Sequence, residues 1–456
     1  MKKAQPAVFT GIGTGPDDAR ALHADCQYDP AKRLEPGETL ASELMVMNFQ
    51  SASPFDALEH YADMLREWLG IVPWTERHPE IGVPAGWNSW SGGGSSGGYG
   101  TNIDEALMIE NMDFADRELR RFGMNYFQLD DGWSTKNGDW VVNADRFPDH
   151  GDQNGIEWLL NRAADLGFLT GLWIRVFDAE SSAQIVTDHP DWFTDPMLFG
   201  LIDVEGEQLD LSDPVVIDHI HDVIGMVKGW GIDWLKLDFG YLCPMTKGWL
   251  DPNLTRGEYY RRGVQAVRDA LGDDIFFLNV AIKGWNYDLA DSVRLTLDTQ
   301  PVWDGEQPGN PLANQGLKPM YRDAARAYWL HKRVWVNHPD LMFFRAHKNT
   351  SLPPLTLEES RTFLTSVVLQ GGLFKIGDRL VDLSGEAVDS LRRGLPVYGE
   401  PGRPLDLFRR EYPEVWSLPV PGFRRALPRH RPSPLGLEPQ SDHVPDEKNR
   451  RRRPRD

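Results

Sequence analysis

Short apolar segments alternate with helical stretches over residues 82–380, and no other feature of the 456-residue sequence constrains the fold as strongly. This rhythm is typical of βα units, in which a helix carries the chain back between parallel strands. Eight segments have the length and composition of strands, namely 86–90, 125–129, 169–177, 232–238, 275–280, 293–298, 334–337 and 366–373. Eight such units predict an α/β fold, a TIM (β/α)8 barrel, which takes about 250 residues.

The helical stretches between these strands carry recognisable ends. Residues 104–122 and 154–166 stop before Gly123 and Gly167, and glycine is a common residue just past a helix. A third stretch, about 214–230, has apolar residues at helical spacing, with Ser212 as its predicted N-cap. Residues 281–291 are too few for a full helix, so we expect a degenerate unit after the fifth strand.

The segments on either side of the barrel follow other patterns. Residues 42–49 alternate weakly, as a strand would, and residues 54–69 have the apolar spacing of a helix. A single strand is not a stable sheet, so this one either pairs with the barrel or is the remnant of a larger β-domain. Residues 421–456 are rich in Pro and Arg and have almost no periodicity, which predicts a disordered basic tail.

Composition excludes some classes of partner. The formal net charge of −20 argues against nucleic acid and anionic membranes, since both require a basic face. The 17 Trp residues suit sugar binding, although most are expected to fill the core. Cys26 and Cys243 are far apart and form no metal-binding pattern, which fits a reducing compartment. With no signal-peptide core and no apolar window of membrane-spanning length, we expect a cytoplasmic protein.

Chemistry in a TIM barrel lies at the carboxyl ends of the strands, so polar residues that close apolar strands are the candidates. In the fourth strand, Trp234, Lys236 and Asp238 share one face because strand side chains alternate. Charges on the inner face are costly unless they are paired or used. Lys236 would lower the pKa of Asp238, as the nucleophile of a glycosidase requires. The alternative is a structural ion pair.

The sixth predicted strand places Arg294, Thr296 and Asp298 on one face by the same argument. One strand separates it from the fourth, so the two backbones are expected roughly 10 Å apart. Inward side chains would then bring the two carboxylates to on the order of 5–6 Å, the arrangement of retaining rather than inverting glycosidases.

Two adjacent carboxylates, Asp130 and Asp131, close the second strand before Gly132. They could accept hydrogen bonds from vicinal sugar hydroxyls, or they could bind a divalent metal. An Asp-Gly turn explains Asp131 but not Asp130. Trp173 in the third strand is a candidate sugar platform, although a lone Trp is more often core. His338 follows the seventh strand, where packing around the site is the favoured role.

At these residues the chain resembles glycoside hydrolase family 36, the bacterial α-galactosidases, and more distantly family 27 of the same clan D. The matching motifs are GWNSW at 86–90, QLDDGW at 128–133, GLW at 171–173, HPDWF at 189–193, LDLS at 209–212, LKLDF at 235–239, DSVRLTLDT at 291–299 and WVNHPD at 335–340. They occur in the order and spacing of the family, and the resemblance spans roughly residues 36–420.

The resemblance implies a retaining, exo-acting α-galactosidase that hydrolyses terminal α-galactosides of the melibiose or raffinose type by double displacement. It implies that Asp238 is the nucleophile and Asp298 the general acid/base. Asp130 and Asp131 would hold the galactose hydroxyls at positions 4 and 6. No cofactor is implied, and the partner is a galactoside or oligosaccharide.

Further roles follow from the same resemblance. Lys236 and Arg294 would bind hydroxyls and tune the carboxylates, and Trp90 and Trp173 would line the pocket. Where the family has Cys-Gly against the sugar, this sequence has Asn279-Val280, which makes Asn279 a candidate substrate contact. This departure leaves the sugar preference open, together with Thr296-Leu297 in place of Gly-Pro.

Family members carry a large N-terminal β-sandwich and a C-terminal β-domain, so the resemblance implies a member truncated at both ends. The predicted division is a β-sandwich remnant and linker helix at 1–80, the catalytic barrel at 81–395, the start of a C-terminal β-domain at 396–420 and the disordered tail at 421–456.

Other functions stay open at this point. A related clan D glycosidase would be an α-N-acetylgalactosaminidase or a β-L-arabinopyranosidase, and galactosyl transfer is a further variant. A barrel that binds sugar but has lost turnover is a different class, as is a metal-dependent hydrolase using Asp130, Asp131 and His338. A homo-oligomer is possible.

Overall fold

Eight parallel strands form the centre of the molecule, and their bounds come from a computed structural model. The structure describes residues 9–14, 20–25, 28–41, 46, 51–90, 97–196, 206–280, 284–304, 316–345 and 355–420. The strands are β1 Ala85–Asn88, β2 Tyr126–Leu129, β3 Leu169–Ile174, β4 Trp234–Leu237, β5 Phe276–Asn279, β6 Ser292–Arg294, β7 Val336–His338 and β8 Phe374–Ile376.

From β1 to β7 each strand pairs with the next strand in sequence, and β8 pairs in parallel with β1. The sheet is nearly closed between β7 and β8, where the Leu373 amide donates to the Asn337 carbonyl at 2.8 Å. A parallel bridge between Met342 and Ile376 lies beside that bond. The predicted TIM-like α/β barrel is therefore confirmed.

Ten α-helices flank the strands in the described part of the chain. They are α1 Pro54–Leu69, α2 Trp74–Arg77, α3 Glu105–Glu118, α4 Gly155–Asp165, α5 Gln184–Asp188, α6 Pro214–Gly229, α7 Arg256–Leu271, α8 Leu317–Arg326, α9 Leu357–Gln370 and α10 Gly385–Gly394. The predicted helices at 54–69, 104–122, 154–166 and 214–230 correspond to α1, α3, α4 and α6. A 3₁₀ turn, Arg120–Phe122, follows α3. None of the described helices is both long and apolar enough to cross a membrane.

Large side chains fill the inside of the barrel below the carboxyl ends of the strands. Tyr126, Trp234 and Phe276 pack together with their ring centroids 4.8 Å to 6.5 Å apart. Trp74 from α2 packs edge-on against Phe276. Burial of each such ring removes a large apolar area from water and stabilises the fold by about 1.5–3 kcal/mol. This packed aromatic layer lies inside the barrel beneath the polar residues at the carboxyl ends of the strands.

The eighth predicted strand, 366–373, is wrong. Residues 366–370 are the end of α9, and the strand begins at Phe374. Thr356 and Glu359 form a capping box that starts the helix, and Gly371 ends it with a φ of 72°. The apolar run at 367–369 is a buried helical face, and a short apolar run does not distinguish strand from helix.

The predicted N-cap of α6 is also wrong by one residue. The Asp213 side chain accepts from the Val215 amide at 2.9 Å and caps the helix. Ser212 instead donates its hydroxyl to the Asp210 carboxylate at 2.6 Å. Ser and Asp are both common N-cap residues. The path of the backbone decides which of the two side chains reaches the unpaired amides at the start of the helix.

Short elements complete the described chain. Phe9–Thr14 and Arg20–Asp25 form an antiparallel hairpin. Three further antiparallel pairs join Asp178–Ala179 to Glu207–Gln208, Asp195–Pro196 to Thr246–Lys247, and Arg403–Pro404 to Trp416–Ser417. Residues 284–290, after β5, form turns rather than a helix, as expected of a degenerate unit. The predicted strand at 42–49, apart from Val46, and the tail at 421–456 lie outside the described residues.

Candidate active site

A cavity lined by charged side chains opens at the carboxyl ends of the strands. Eight of the nine site residues predicted from the sequence line it, and Asn279 is the exception. The full lining consists of Asn88, Trp90, Asp130, Asp131, Trp173, Lys236, Asp238, Phe239, Arg294, Asp298, Thr299, His338, Asp340, Leu341 and Lys375.

Asp238 follows β4 directly, and three groups hold its carboxylate. Oδ2 accepts the indole N–H of Trp173 at 3.1 Å and lies 3.4 Å from Nζ of Lys236. Oδ1 accepts the Phe239 amide at 2.8 Å. Phe239 has a φ of 56°, a conformation that residues other than glycine rarely adopt. The carboxylate therefore stands in a fixed orientation.

The electrostatic surroundings keep Asp238 ionised. Its side chain is 13% exposed, and burial alone would raise its pKa. The charges of Lys236 and Arg294, with the hydrogen bonds from Trp173 and Phe239, outweigh burial and lower the pKa of Asp238 below its ordinary value. An ionised carboxylate with fixed geometry is what nucleophilic attack on a sugar carbon requires.

Lys236 links the nucleophile candidate to a second carboxylate. Its Nζ donates to Asp130 Oδ2 at 2.9 Å while lying near Asp238. Burial lowers the pKa of Lys236, but the charges of Asp130 and Asp238 raise it further, so the net shift is upward. Lys236 therefore carries its charge at every pH at which the site would operate.

Asp298 lies in an irregular segment beyond β6, because the strand ends at Arg294 rather than at residue 298 as predicted. Local bonds explain the early end: Arg294 Nε donates to the Thr296 carbonyl at 3.2 Å, and the Thr296 hydroxyl donates to the Leu297 carbonyl at 2.9 Å. The predicted shared strand face of Arg294, Thr296 and Asp298 is therefore wrong.

Arg294 nevertheless holds Asp298 in the cavity. Its Nη1 lies 2.5 Å from Asp298 Oδ1, and the Asp298 side chain is 46% exposed. One candidate carboxylate is thus buried and fixed, while the other faces solvent at the mouth. This asymmetry suits a nucleophile and a proton donor to a departing group. The predicted separation of the carboxylates stays a prediction.

Asp130 is 1% exposed and is held by four donors, three on Oδ2 and one on Oδ1. Its Oδ2 accepts from Asn88 Nδ2 at 2.6 Å, from Lys236 and from Gln128 Nε2 at 3.3 Å. Its Oδ1 accepts the Asp131 amide at 3.1 Å. Four donors on one carboxylate make Asp130 a rigid acceptor beneath the cavity.

Asp131 has a pKa above its ordinary value. Burial, and then the adjacent charge of Asp130, raise the pKa of Asp131 to about 6. Arg175, the Gly132 amide and Lys236 oppose this shift only in part. Asp131 therefore changes protonation close to neutral pH, whereas Asp238 remains ionised there.

The two predicted sugar-lining tryptophans occupy different positions. Trp90 is half-buried, so part of its ring faces the cavity. Trp173 is only 1% exposed, and its indole N–H is bonded to Asp238. Trp173 therefore serves to hold the carboxylate, and its face is not available as a stacking platform.

The structure does not bring Asn279 to the cavity. It lies at the end of β5 with no exposed surface, and its Nδ2 donates to the Tyr260 hydroxyl at 2.8 Å. Asn279 Oδ1 has no hydrogen-bond partner. The residue is part of the packed wall behind the site.

Several lining residues were not predicted as site residues, and Lys375 and Asp340 are the most informative. Asp340 Oδ2 accepts both the amide and the hydroxyl of Thr299, at 2.7 and 3.1 Å. Burial raises the pKa of Asp340. Lys375 escaped notice because the eighth strand was misplaced; a lysine inside the apolar run 373–376 carries the same signal that identified Lys236.

His338 lies beside these groups as a neutral ring. It is 2% exposed, and burial together with the charges of Lys375, Arg294 and Lys236 holds its pKa well below the ordinary value. Its Nδ1 accepts the Asp340 amide at 3.2 Å. Among the described residues, no group of three or more His, Cys, Asp and Glu side chains is arranged to hold a metal ion.

Comparison with known proteins agrees with this geometry. Residues 103–249 match the melibiase family model, a segment that includes Asp130, Asp131, Trp173, Lys236 and Asp238. These residues are a melibiase domain. The resemblance to the α-galactosidases of families 36 and 27 is therefore confirmed.

Similar proteins cover different shares of the chain. Alpha-galactosidase 2 of Pediococcus pentosaceus is 29% identical over 190 residues, 38% of this chain and 26% of that protein. The A type blood alpha-D-galactosamine galactosaminidase of Flavonifractor plautii is 25% identical over 235 residues, 51% of this chain and 16% of that protein. The chain thus spans about a quarter or less of these relatives.

A solved structure matches over a larger share of the chain. The α-galactosidase TtGalA of Thermus thermophilus, in complex with p-nitrophenyl α-D-galactopyranoside, superposes with a TM-score of 0.60 at 25% identity. The match covers 75% of this chain and 65% of that one. The melibiase domain described above therefore lies within a barrel of the same fold as a ligand-bound α-galactosidase.

Proposed function

We propose that this protein is a retaining α-galactosidase that hydrolyses terminal α-galactosides of the melibiose or raffinose type. One observation carries the proposal: an ionised, buried carboxylate and a half-exposed, arginine-held carboxylate line one cavity of a melibiase-like barrel. Asp238 is the first and Asp298 the second. Two carboxylates in such different surroundings are suited to two different tasks.

The reaction proceeds in two displacements. Asp238 attacks the anomeric carbon with an electron pair from its carboxylate, while protonated Asp298 gives its proton to the departing glycosidic oxygen. This step forms a covalent β-galactosyl–enzyme ester and releases the leaving group as an alcohol. Asp298, now a carboxylate, then takes a proton from water, which attacks the same carbon and frees Asp238. The product is α-galactose, and both carboxyl groups return to their starting states.

Asp130 and Asp131 hold the sugar in this proposal. Both line the cavity beside the nucleophile, and the family resemblance assigns such a pair to the hydroxyls at positions 4 and 6. Asp130 is fixed by four donors and can accept a sugar O–H without reorganising. Asp131 accepts most strongly when ionised, above its pKa of about 6.

The names of similar proteins support this substrate class. The Pediococcus relative is an alpha-galactosidase, and the Thermus structures hold p-nitrophenyl α-D-galactopyranoside and stachyose. Stachyose is an oligosaccharide, which supports an oligosaccharide as partner here. The cytoplasmic location and the possible homo-oligomer remain predictions.

A second candidate is an α-N-acetylgalactosaminidase. The similarity over half of this chain to a Flavonifractor protein whose name gives galactosamine as its sugar favours a substrate with nitrogen at position 2. The two substrates differ only at position 2 of the ring, so side-by-side assays with the p-nitrophenyl α-glycosides of galactose and N-acetylgalactosamine separate them. A higher kcat/KM on the galactoside is the expected result.

The direct test follows hydrolysis of p-nitrophenyl α-galactoside by proton NMR, with Asp238→Asn as the control. We expect α-galactose to appear before mutarotation, and the control to be inactive. β-Galactose as the first product would contradict retention, and a control as active as the wild type would contradict the assignment of the nucleophile. Binding without hydrolysis by the wild type would favour the alternative of a sugar-binding barrel.

A further inference from the structure

A second lysine lies under the cavity and takes no part in the proposed displacements. Lys375 is on β8 and only 2% exposed. Its Nζ donates to Oε1 of Gln128 and lies 4.4 Å from the centroid of the Trp234 ring. The amine is thus held between an amide oxygen on β2 and an aromatic face on β4, on the inside of the barrel.

Gln128 connects this amine to the site. It lies two residues before Asp130 on the same strand, is completely buried, and donates from Nε2 to Asp130 Oδ2 at 3.3 Å. An ionised carboxylate only accepts, so the amide must turn its NH₂ toward Asp130. Its oxygen then faces Lys375, which supplies the donor. A single orientation of the Gln128 amide therefore forms both the bond to Asp130 and the bond to Lys375.

Placing an amine here is unfavourable by itself. Burial holds the pKa of Lys375 well below its ordinary value, and the charges of Lys236 and Arg294 act in the same direction. Asp130 and Asp340 offset this only in part. An apolar side chain of similar length would fill the same space without desolvating an amine. Filling this space therefore does not require a lysine, and the hydrogen bond to Gln128 is what the amine adds.

We propose that Lys375 and Gln128 form a positioning pair, which fixes the Asp130 carboxylate for its hydrogen bond to the substrate. This inference rests on the proposed function, since Asp130 holds a sugar hydroxyl in that account. Lys375 acts through Gln128 and does not touch the reacting atoms. The pair should therefore affect how the sugar is held more than how the glycosidic bond is broken.

A double-mutant cycle tests the pair with p-nitrophenyl α-galactoside as substrate. Lys375→Met and Gln128→Leu should each raise KM about fivefold, the effect of one neutral hydrogen bond, and change kcat by less than about twofold. The double variant should be no worse than either single variant, because each removes the same link. Lys228→Met, an exposed lysine at the end of α6, is the matched control and should keep the wild-type KM.

Three results would overturn the inference. The first is a Lys375→Met variant with the wild-type KM. The second is a double variant whose KM increase is the product of the two single increases, as independent packing defects would give. The third result concerns Gln128→Glu, which is used if Lys375→Met does not fold. The Glu side chain keeps a hydrogen-bond partner for Lys375 but places a second carboxylate against Asp130. An unchanged KM in this variant would exclude a role for the Gln128 amide.

Failure of the proposed function is distinguishable from failure of the pair. A folded wild type that hydrolyses no α-galactoside contradicts the function and not the link between Lys375 and Gln128. Urea unfolding of the wild type, the two single variants and the double variant then tests whether Lys375 and Gln128 are linked. Midpoint decreases that do not add in the double variant support the pair, and decreases that add overturn it.

Discussion

At the scale of single residues, the chemistry of the site comes from neighbours rather than from the carboxyl groups themselves. Asp131 and Asp238 are both aspartates at the end of a barrel strand. One has its pKa raised by burial and by Asp130, and the other has burial outweighed by Lys236 and Arg294. The same side chain is thus made into two different groups by the charges around it.

Removing Lys236 should shift the pH dependence of the reaction. In Lys236→Met, burial of Asp238 remains while its main opposing charge is lost, so the pKa of Asp238 rises. In an Asp131→Asn background, where residue 131 cannot titrate, the acidic limb of kcat/KM should move to higher pH by about 1–2 units, as measured in the free-enzyme pH–rate profile. Trp173→Phe removes only the 3.1 Å hydrogen bond and should shift the limb less. An acidic limb at the same pH in both variants would contradict this account of Asp238.

Asp131→Asn should stabilise the protein at alkaline pH while impairing catalysis. The folded-state pKa of Asp131 is about 6, above the ordinary 3.8, so folding disfavours its ionised form. That penalty is absent below about pH 4, develops as the pH rises to 6, and is complete above it. At pH 8 the variant should unfold with a free energy about 1–2 kcal/mol higher than the wild type, and the two should be equal near pH 3.5.

Urea unfolding at pH 8 and pH 3.5 measures this difference. Asp149→Asn, at an exposed position, is the matched control for the change of carboxylate to amide. A difference between wild type and Asp131→Asn that is the same at both pH values would show that burial of the charge is not its cause.

At the scale of elements, the sequence predicts most of the barrel but not where each strand ends. The strands before Asp130 and Asp238 are apolar runs closed by a carboxylate, so both elements were predicted correctly, and both carboxylates line the cavity. After Arg294 the alternation of Leu295 and Leu297 continues, yet local side-chain bonds end the strand. Hydrophobic periodicity does not register such bonds, and for this reason the position of Asp298 was not predictable.

The position of the eighth strand was predicted wrongly for a related reason. The apolar run at 367–369 fits both a strand and a helix, and the capping box at Thr356 and Glu359 favours the helix. Misplacing the strand hid Lys375. Contacts between distant parts of the chain, such as Lys375 with Gln128, follow from barrel closure and have no local sequence signal.

Close approach between β1 and β2 depends on a glycine. A Cβ at Gly86 would lie 2.4 Å from the Tyr126 carbonyl oxygen and 2.6 Å from its Cβ, and both are atoms of a strand in the sheet. Gly86→Ala should therefore lower the free energy of unfolding by about 2–3 kcal/mol. The control is Gly225→Ala in α6, where a Cβ meets nothing within 4 Å and should stabilise by about 0.5–1 kcal/mol.

Chemical denaturation measures the change in the free energy of unfolding for Gly86→Ala and for Gly225→Ala. The opposite signs are the essential result, because both changes add one methyl group to a glycine. Destabilisation of equal size in the two variants would mean that the contact at Gly86 is not the cause.

At the scale of the whole molecule, the partly buried carboxylate of Glu59 connects α1 to the barrel. Glu59 accepts from the Tyr328 hydroxyl at 2.9 Å, from Arg333 at 3.2 Å and from Arg403 at 2.9 and 2.8 Å. These partners come from the segment before β7 and from a short strand after α10. The division of the chain into segments at residues 80 and 395 therefore stays a proposal, since these bonds cross both boundaries.

Glu59→Ala should lower the free energy of unfolding by about 1–2 kcal/mol, because the Tyr328 hydroxyl loses its acceptor while Arg333 and Arg403 keep only their ion pairs with Asp63 and Asp56. Glu67→Ala, at an exposed position of the same helix, is the matched control and should change stability by less than about 0.5 kcal/mol. Thermal unfolding followed by circular dichroism compares the two. Equal small losses would show that α1 is not held through Glu59.

The central claim is that Asp238 attacks the anomeric carbon. The most direct measurement is turnover of p-nitrophenyl α-galactoside by Asp238→Ala in the presence and absence of azide, with identification of the product by NMR. The account predicts negligible turnover without azide and recovery with it, giving β-galactosyl azide because the small anion enters from the face that the carboxylate occupied. A folded variant that azide does not reactivate, or one that yields the α-azide, would contradict it.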